Sequence, residues 1–174
     1  INIVIANAGI AVSKPFHKMS AVDIRSLMEV NLIGVFNTFQ NALIDMKSNN
    51  WGRMISIAST AGLKGYPYVS AYSASKHAVI GLTRSLSLEL ASKGITVNSI
   101  CPSYIDTPMT DRTIKNITEL TKISKEEAIN ELVKSNPQKR LIQPEEVAEV
   151  VAWLCDKNSG SINGQNIPVS GGEI

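Results

Sequence analysis

The stretch INIVIANAG, residues 1–9, decides the fold. Its first six residues are a near-continuous run rich in Ile and Val, and Asn-Ala-Gly then breaks it. A short β-branched run with no polar alternation reads as a strand buried on both faces, which is the habit of a parallel sheet. Similar runs recur at RMISIAS (53–59) and ITVNSICP (95–102), and a shorter one lies within GQNIPVSGG (164–172). Each is followed by turn residues or proline.

Helical patterns fill the intervals. Ser20 and Asp23 have capping-box spacing, and Ile24, Leu27, Met28, Leu32, Val35, Phe36, Phe39, Leu43 and Met46 keep helical period behind them. This helix is long, with a kink expected near Asn31 and Gly34. AGLKGYPYVS (61–70) reads as a loop. The helix after it carries Ala78, Leu82, Leu86 and Leu90 four apart and stops at Gly94. From Thr107 to Gln143 the chain turns polar and holds two short helical patterns, the second opening on Ser124 and Glu127. So long an excursion suggests a segment that covers a substrate. Pro144 then starts a helix with Val147, Val150, Val151 and Leu154 on one face. The alternation predicts one α/β domain over residues 1–174, a doubly wound parallel sheet of the Rossmann type with right-handed crossovers.

Composition excludes several functions. A formal charge of +2, spread along 174 residues, gives no basic stripe for nucleic acid. Cys101 and Cys155 have neither CxxC nor Cys/His spacing, which argues against zinc or a disulfide framework and for a reducing cytoplasm. No metal site is expected. No apolar run is long enough to span a bilayer. Ile1 stands where an initiator methionine is usual, and reads as the start of a fragment.

Open α/β sheets bind ligands beyond the strand C-termini, where Asn7, Ser59 and Pro102 lie. In YSASK (72–76), Tyr72 and Lys76 are four apart and share a helix face. A nearby ammonium favours phenolate and would lower the phenol's pKa toward a range useful for acid/base work. Ser59, 13 residues upstream at a strand end, is placed for its hydroxyl to join the phenol on one carbonyl oxygen. His77, one position on, faces away from Tyr72, and His17 has no partner, so neither is assigned a catalytic role. Tyr66 and Tyr68 could line a pocket, with loop packing the favoured reading, and Trp51 and Trp153 read as core or interface anchors.

Taken in order, NAG (7–9), EVNLIG (29–34), SIASTAG (56–62), YSASK and CPSYIDTPM (101–109) resemble the short-chain dehydrogenase/reductase family over essentially the whole chain. The resemblance implies a catalytic tetrad of Asn31, Ser59, Tyr72 and Lys76. Tyr72 would be the acid/base, Ser59 the polarising hydroxyl, Lys76 the ribose ligand, and Asn31 the holder of a relay water. It implies NAD or NADP, bound by Asn7, Ala8, Gly9, Pro102, Ser103, Ile105 and Thr107 together with Tyr72 and Lys76. Ser103 departs from the family's glycine and Ser170 from its aspartate. No G-x-G-x-x-G occurs, so the chain reads as the C-terminal portion of such a domain, N-terminally truncated, with 107–143 as its substrate lid. The implied substrate is a secondary alcohol or ketone, closest to 3-oxoacyl or 3-hydroxyacyl thioesters or short 3-hydroxy acids. A homodimer or homotetramer would form through the helices bearing Asn31 and Tyr72. The alternative is a catalytically inactive fragment that keeps only this association surface.

Overall fold

The computed structural model describes residues 1–174. Four parallel strands, β1 (Ile3–Ala6), β2 (Gly52–Ile57), β3 (Ile95–Pro102) and β4 (Asn166–Val169), form one sheet in the order β1-β2-β3-β4. The helices are α1 (Ala21–Met28), α2 (Gly34–Asn49), α3 (Ser70–Leu90), α4 (Pro108–Thr121), α5 (Lys125–Leu132) and α6 (Pro144–Cys155).

Successive strand residues point to opposite faces, and both faces are covered. Met54, Val97 and Cys101 pack with Val35, Phe39 and Met46 around α2, and with Val79, Ile80 and Leu90 of α3. Their neighbours Ile55 and Ile100 face the other way, against Ile142 and Val147 and Leu154 of α6. The first two crossovers therefore run over one face, and the third runs over the opposite face while the strand order continues in the same direction. It has the opposite hand to the two before it, against the uniform right-handed winding expected. The usual handedness rule applies to compact βαβ units. Here more than sixty residues separate β3 from β4, and the chain descends behind the sheet only after leaving through α4 and α5.

The expected kink is a π-helical turn, Glu29–Ile33, which joins α1 to α2. Ser20 and Asp23 do form a capping box on α1, as Ser124 and Glu127 do on α5. α4 and α5 pack on each other through Ile114, Ala128 and Leu132, a small core of their own.

Two further expectations change. β1 is an edge strand with β2 as its single neighbour, and Ile3 and Ile5 are about two-fifths exposed rather than buried on both faces. Trp153 is half exposed and is no core anchor. No helix is long and apolar enough to cross a membrane.

Candidate active site

A triangle of buried hydroxyls locks α3 to the sheet: Ser99 Oγ lies 2.7 Å from both Ser56 Oγ and Thr83 Oγ1. The residues come from β3, β2 and α3, so the helix bearing Tyr72 and Lys76 cannot slide without breaking them. Ser59 then leaves β2 extended and caps a short turn, its Oγ accepting from the Ala61 amide at 3.1 Å. Gly62 lets that turn touch α3: a Cβ there would lie 2.8 Å from the Lys76 carbonyl oxygen. Any larger residue would push Ser59 away from Tyr72.

Ser59, Tyr72 and Lys76 come together as expected. The Ser59 hydroxyl lies close enough to Tyr72 to pull the phenol's pKa down. The Lys76 ammonium lies 5.7 Å from the Tyr72 ring centre and donates to the Ile57 carbonyl at 2.8 Å. The electrostatics differ from the sequence reading. Burial pushes the Tyr72 phenol above its usual pKa, and the opposing pull comes from the Ser59 hydrogen bond rather than from Lys76. Burial also brings Lys76 down to about 8. Both groups lose water on entering the site, which favours their neutral forms.

Asn31 is fully buried in the π turn. Its Oδ1 accepts from the Ile10 amide at 2.9 Å, and its Nδ2 donates to the Ile10 carbonyl and to Ser75 Oγ, both at 3.0 Å. Ser75 in turn donates to the Tyr72 carbonyl at 2.7 Å. The Asn31 amide protons are thus committed to protein, and the side chain pins the loop after β1 to α3. Ser75 was not singled out in the sequence; its i+3 spacing from Tyr72 was the only hint.

These residues open on a cleft of about 840 Å³. Asn7, Ala8, Gly9, Pro102, Ser103, Ile105 and Thr107 all line it, with Ser59, Tyr72 and Lys76. Asn7 and Ala8 are exposed at its rim, and the Asn7 side chain makes no hydrogen bond that would brace the sheet. Ile105 is bridged in parallel to Ile142, using the Tyr104 carbonyl and the Asp106 amide. That pairing turns Ile105's own amide and carbonyl away from Ile142. Thr107 Oγ1 is only loosely held, 3.4 Å from the Ile105 carbonyl.

Ser103 does not need a glycine's conformation, since its φ is not positive. Its hydroxyl instead donates to Glu173 at 2.5 Å. Sequence reading missed Glu173, whose carboxylate gathers four partners. Besides Ser103 it accepts from Tyr66 at 2.6 Å and from Ser135 at 2.9 Å, and it pairs with Lys64 at 3.0 Å. Burial opposes its charge, but these donors outweigh burial and hold its pKa low. Tyr66 is therefore more than loop packing, while Tyr68 is a largely exposed rim residue. His17 and His77 are both exposed, and His77 rests on the Ser73 carbonyl at 2.9 Å.

The cleft suits the nicotinamide and ribose end of a dinucleotide. Gly9 leaves a hollow beside Lys76: a Cβ there would sit 3.6 Å from Nζ and 3.4 Å from Asn31 Oδ1, filling the space in front of both. No glycine-rich pyrophosphate turn occurs among residues 1–174.

A parallel α/β sheet with a Tyr, Lys and Ser at its C-terminal edge defines a class of site for carbonyl chemistry. The family model described as enoyl-(acyl carrier protein) reductase matches residues 1–173, and the chain belongs to this short-chain dehydrogenase/reductase family. It is 37% identical over 172 residues to a D-beta-hydroxybutyrate dehydrogenase of Rhizobium meliloti, covering 98% of this chain and 67% of that one. It is also 37% identical over 172 residues to the 3-oxoacyl-(acyl-carrier-protein) reductase of Aquifex aeolicus, covering 99% and 65%. Among solved structures, an actinorhodin polyketide ketoreductase with NADPH superposes with a TM-score of 0.94 at 35% identity, covering 99% of this chain and 67% of that one. The chain thus spans about two thirds of the length of these relatives.

Proposed function

We propose that this chain works as an NAD(P)-dependent oxidoreductase that interconverts a ketone and a secondary alcohol. The observation that carries this reading is the meeting of the Ser59 hydroxyl and the Lys76 ammonium at Tyr72 inside one cleft. A bound nicotinamide, NAD or NADP, supplies or takes the hydride. Lys76 and Tyr72 would hold its ribose, and the Ile105 backbone and the Thr107 hydroxyl its carboxamide.

Tyr72 delivers its proton to the ketone oxygen as negative charge grows there, and takes it back in the reverse direction. A phenol kept neutral by burial is the correct starting form for reduction. Ser59 uses its lone pair on the Ala61 amide, so its own proton is free to polarise the same oxygen. Lys76 lies close enough to stabilise the phenolate left after transfer. Asn31 keeps Ile10 and Ser75 in place around this group, and a water beside it would return protons from solvent.

The segment 107–143 is read as a lid, since Met109, Thr113, Ile117 and Leu132 line the cleft from its side. The names of the relatives bracket the substrate between a 3-oxoacyl or 3-hydroxyacyl thioester and a short 3-hydroxy acid. A homodimer or homotetramer is read from apolar side chains left exposed on α1 to α3, and a cytoplasmic setting from two cysteines that are both free.

The test is the loss of reduced nicotinamide absorbance with a 3-oxo ester or thioester, using NADH and NADPH in turn. Tyr72→Phe should lower kcat about 10²- to 10⁴-fold, with a much smaller loss of nucleotide affinity from the missing ribose contact. A Tyr72→Phe rate close to wild type would sink the acid/base assignment.

A further inference from the structure

The cleft around Tyr72 is nearly empty of charge. Among its 30 lining residues, Lys76 is the only Lys or Arg, and no Asp, Glu or His is present. The Lys76 ammonium already serves the Ile57 carbonyl at 2.8 Å. Sixteen of the 30 are hydrophobic, Tyr66, Tyr104, Met109, Ile117 and Leu132 among them, and apart from Lys76 the polar remainder is uncharged serine, threonine and asparagine beside glycine and proline.

Other cations near the cleft are spent or turned outward. Lys64 stands 5.0 Å from the Tyr66 ring but pairs with Glu173 at 3.0 Å. Lys14 pairs with Asp23 at 2.7 Å, and Arg140 with Glu146 at 2.6 Å. Arg112 and Lys115 are exposed on α4 and do not line the cleft. Behind the wall the Glu173 carboxylate, bonded to Ser103 and Tyr66, both lining residues, takes up the charge of Lys64 and leaves no free cation there. Its hold on the Tyr66 proton also removes that phenol as a donor to substrate.

We infer that the site takes ketones whose group beside the reacting carbonyl is uncharged, such as esters or thioesters of 3-oxo acids, and rejects the free 3-oxo and 3-hydroxy carboxylates. The inference rests on the oxidoreductase reading of the same site. A carboxylate two bonds from the reacting carbon would have to leave water for a wall with no free cation to receive it. An ester or thioester presents the same carbonyl geometry without that penalty. On this criterion the chain parts from the free hydroxy acid in the name of its Rhizobium relative and sides with its acyl-carrier relative.

The experiment compares kcat/KM for methyl acetoacetate and for acetoacetate, with both nucleotides, on protein expressed from the complete reading frame. The ester should be favoured by at least about 100-fold. Equal or faster reduction of acetoacetate overturns the inference and leaves the oxidoreductase reading standing. Reduction of neither compound, nor of any neutral ketone tried beside them, overturns the reading itself. Asn116 lines the cleft yet is exposed, so Asn116→Arg can bring a cation to the wall without burying it in the core. This change should shift the ratio toward acetoacetate by about tenfold. A ratio that does not move means charge is not what discriminates, and overturns the inference as well.

Discussion

Lys76 is held in a place that does not suit its charge. Its pKa falls from 10.5 to about 8 because burial strips its water, and the Ile57 carbonyl returns only part of that solvation. Between pH 8 and 10.5 the unfolded chain therefore binds a proton that the folded chain does not, and stability contributed by this residue rises with pH across that window. Below pH 8 both states are charged and the folded state bears the whole penalty. Lys76→Met should accordingly be more stable than wild type at pH 7, by up to about 3 kcal/mol, with the advantage shrinking as pH approaches 10.5. Urea denaturation at pH 7 and pH 10 measures this, and a difference independent of pH would exclude it. The site thus stores strain at the residue it most needs, a common bargain between stability and activity.

Among the elements, the π turn at Glu29–Ile33 has the clearest job. The turn takes up one extra residue within a single revolution, so that Asn31 faces Ile10 and Ser75 while α2 still presents Phe39 and Met46 to the sheet. Deleting Glu29 should restore an α turn, leave α1 and α2 nearly in line, and carry Asn31 out of register with Ile10 and Ser75. Circular dichroism should then show the helix content kept while turnover is lost; a deletion variant with wild-type kcat would refute the role. Such a turn was only half legible. The Asn and Gly marked a bend, but π geometry depends on which carbonyl each amide finds, and that is decided by Ile10, twenty-one residues away. Capping boxes at Ser20 and Ser124 were readable because their whole logic lies within four residues. Ser59, Tyr72 and Lys76 were readable because β2 and α3 are short-range neighbours joined through one tight loop. Glu173 was not, since its partners Lys64, Tyr66, Ser103 and Ser135 come from three separate loops and a glutamate near Gly-Gly carries no local pattern.

At the scale of the molecule, one outer surface is conspicuously apolar. Ile33, Phe36 and Ile44 lie along one side of the α2 helix and its π turn, and Val22 and Leu88 add to the same layer from α1 and α3, all exposed. That layer is the helical cover of the face opposite α6, and a second copy is the occupant proposed for it. Ile44→Glu and Leu88→Glu should each move the sedimentation coefficient toward that of a monomer, with thermal stability at dilute concentration lowered as the association is lost. A wild-type protein that sediments as a monomer at every concentration would exclude the assembly.

The position of Glu173 has one more consequence. Ser103, where the chain leaves β3, and Ser135, just after α5, both end on the two oxygens of the same carboxylate. The intervening residues are gathered like cloth by a drawstring, with their own small core of Ile114, Ala128 and Leu132 inside the pouch. Their span is set at the knot, so the part of this stretch beyond Thr107 can change length and sequence while Ile105 stays bridged to Ile142 beneath the sheet edge. New substrates can then be met by retailoring one interchangeable cassette, with the proton-transfer machinery inherited intact.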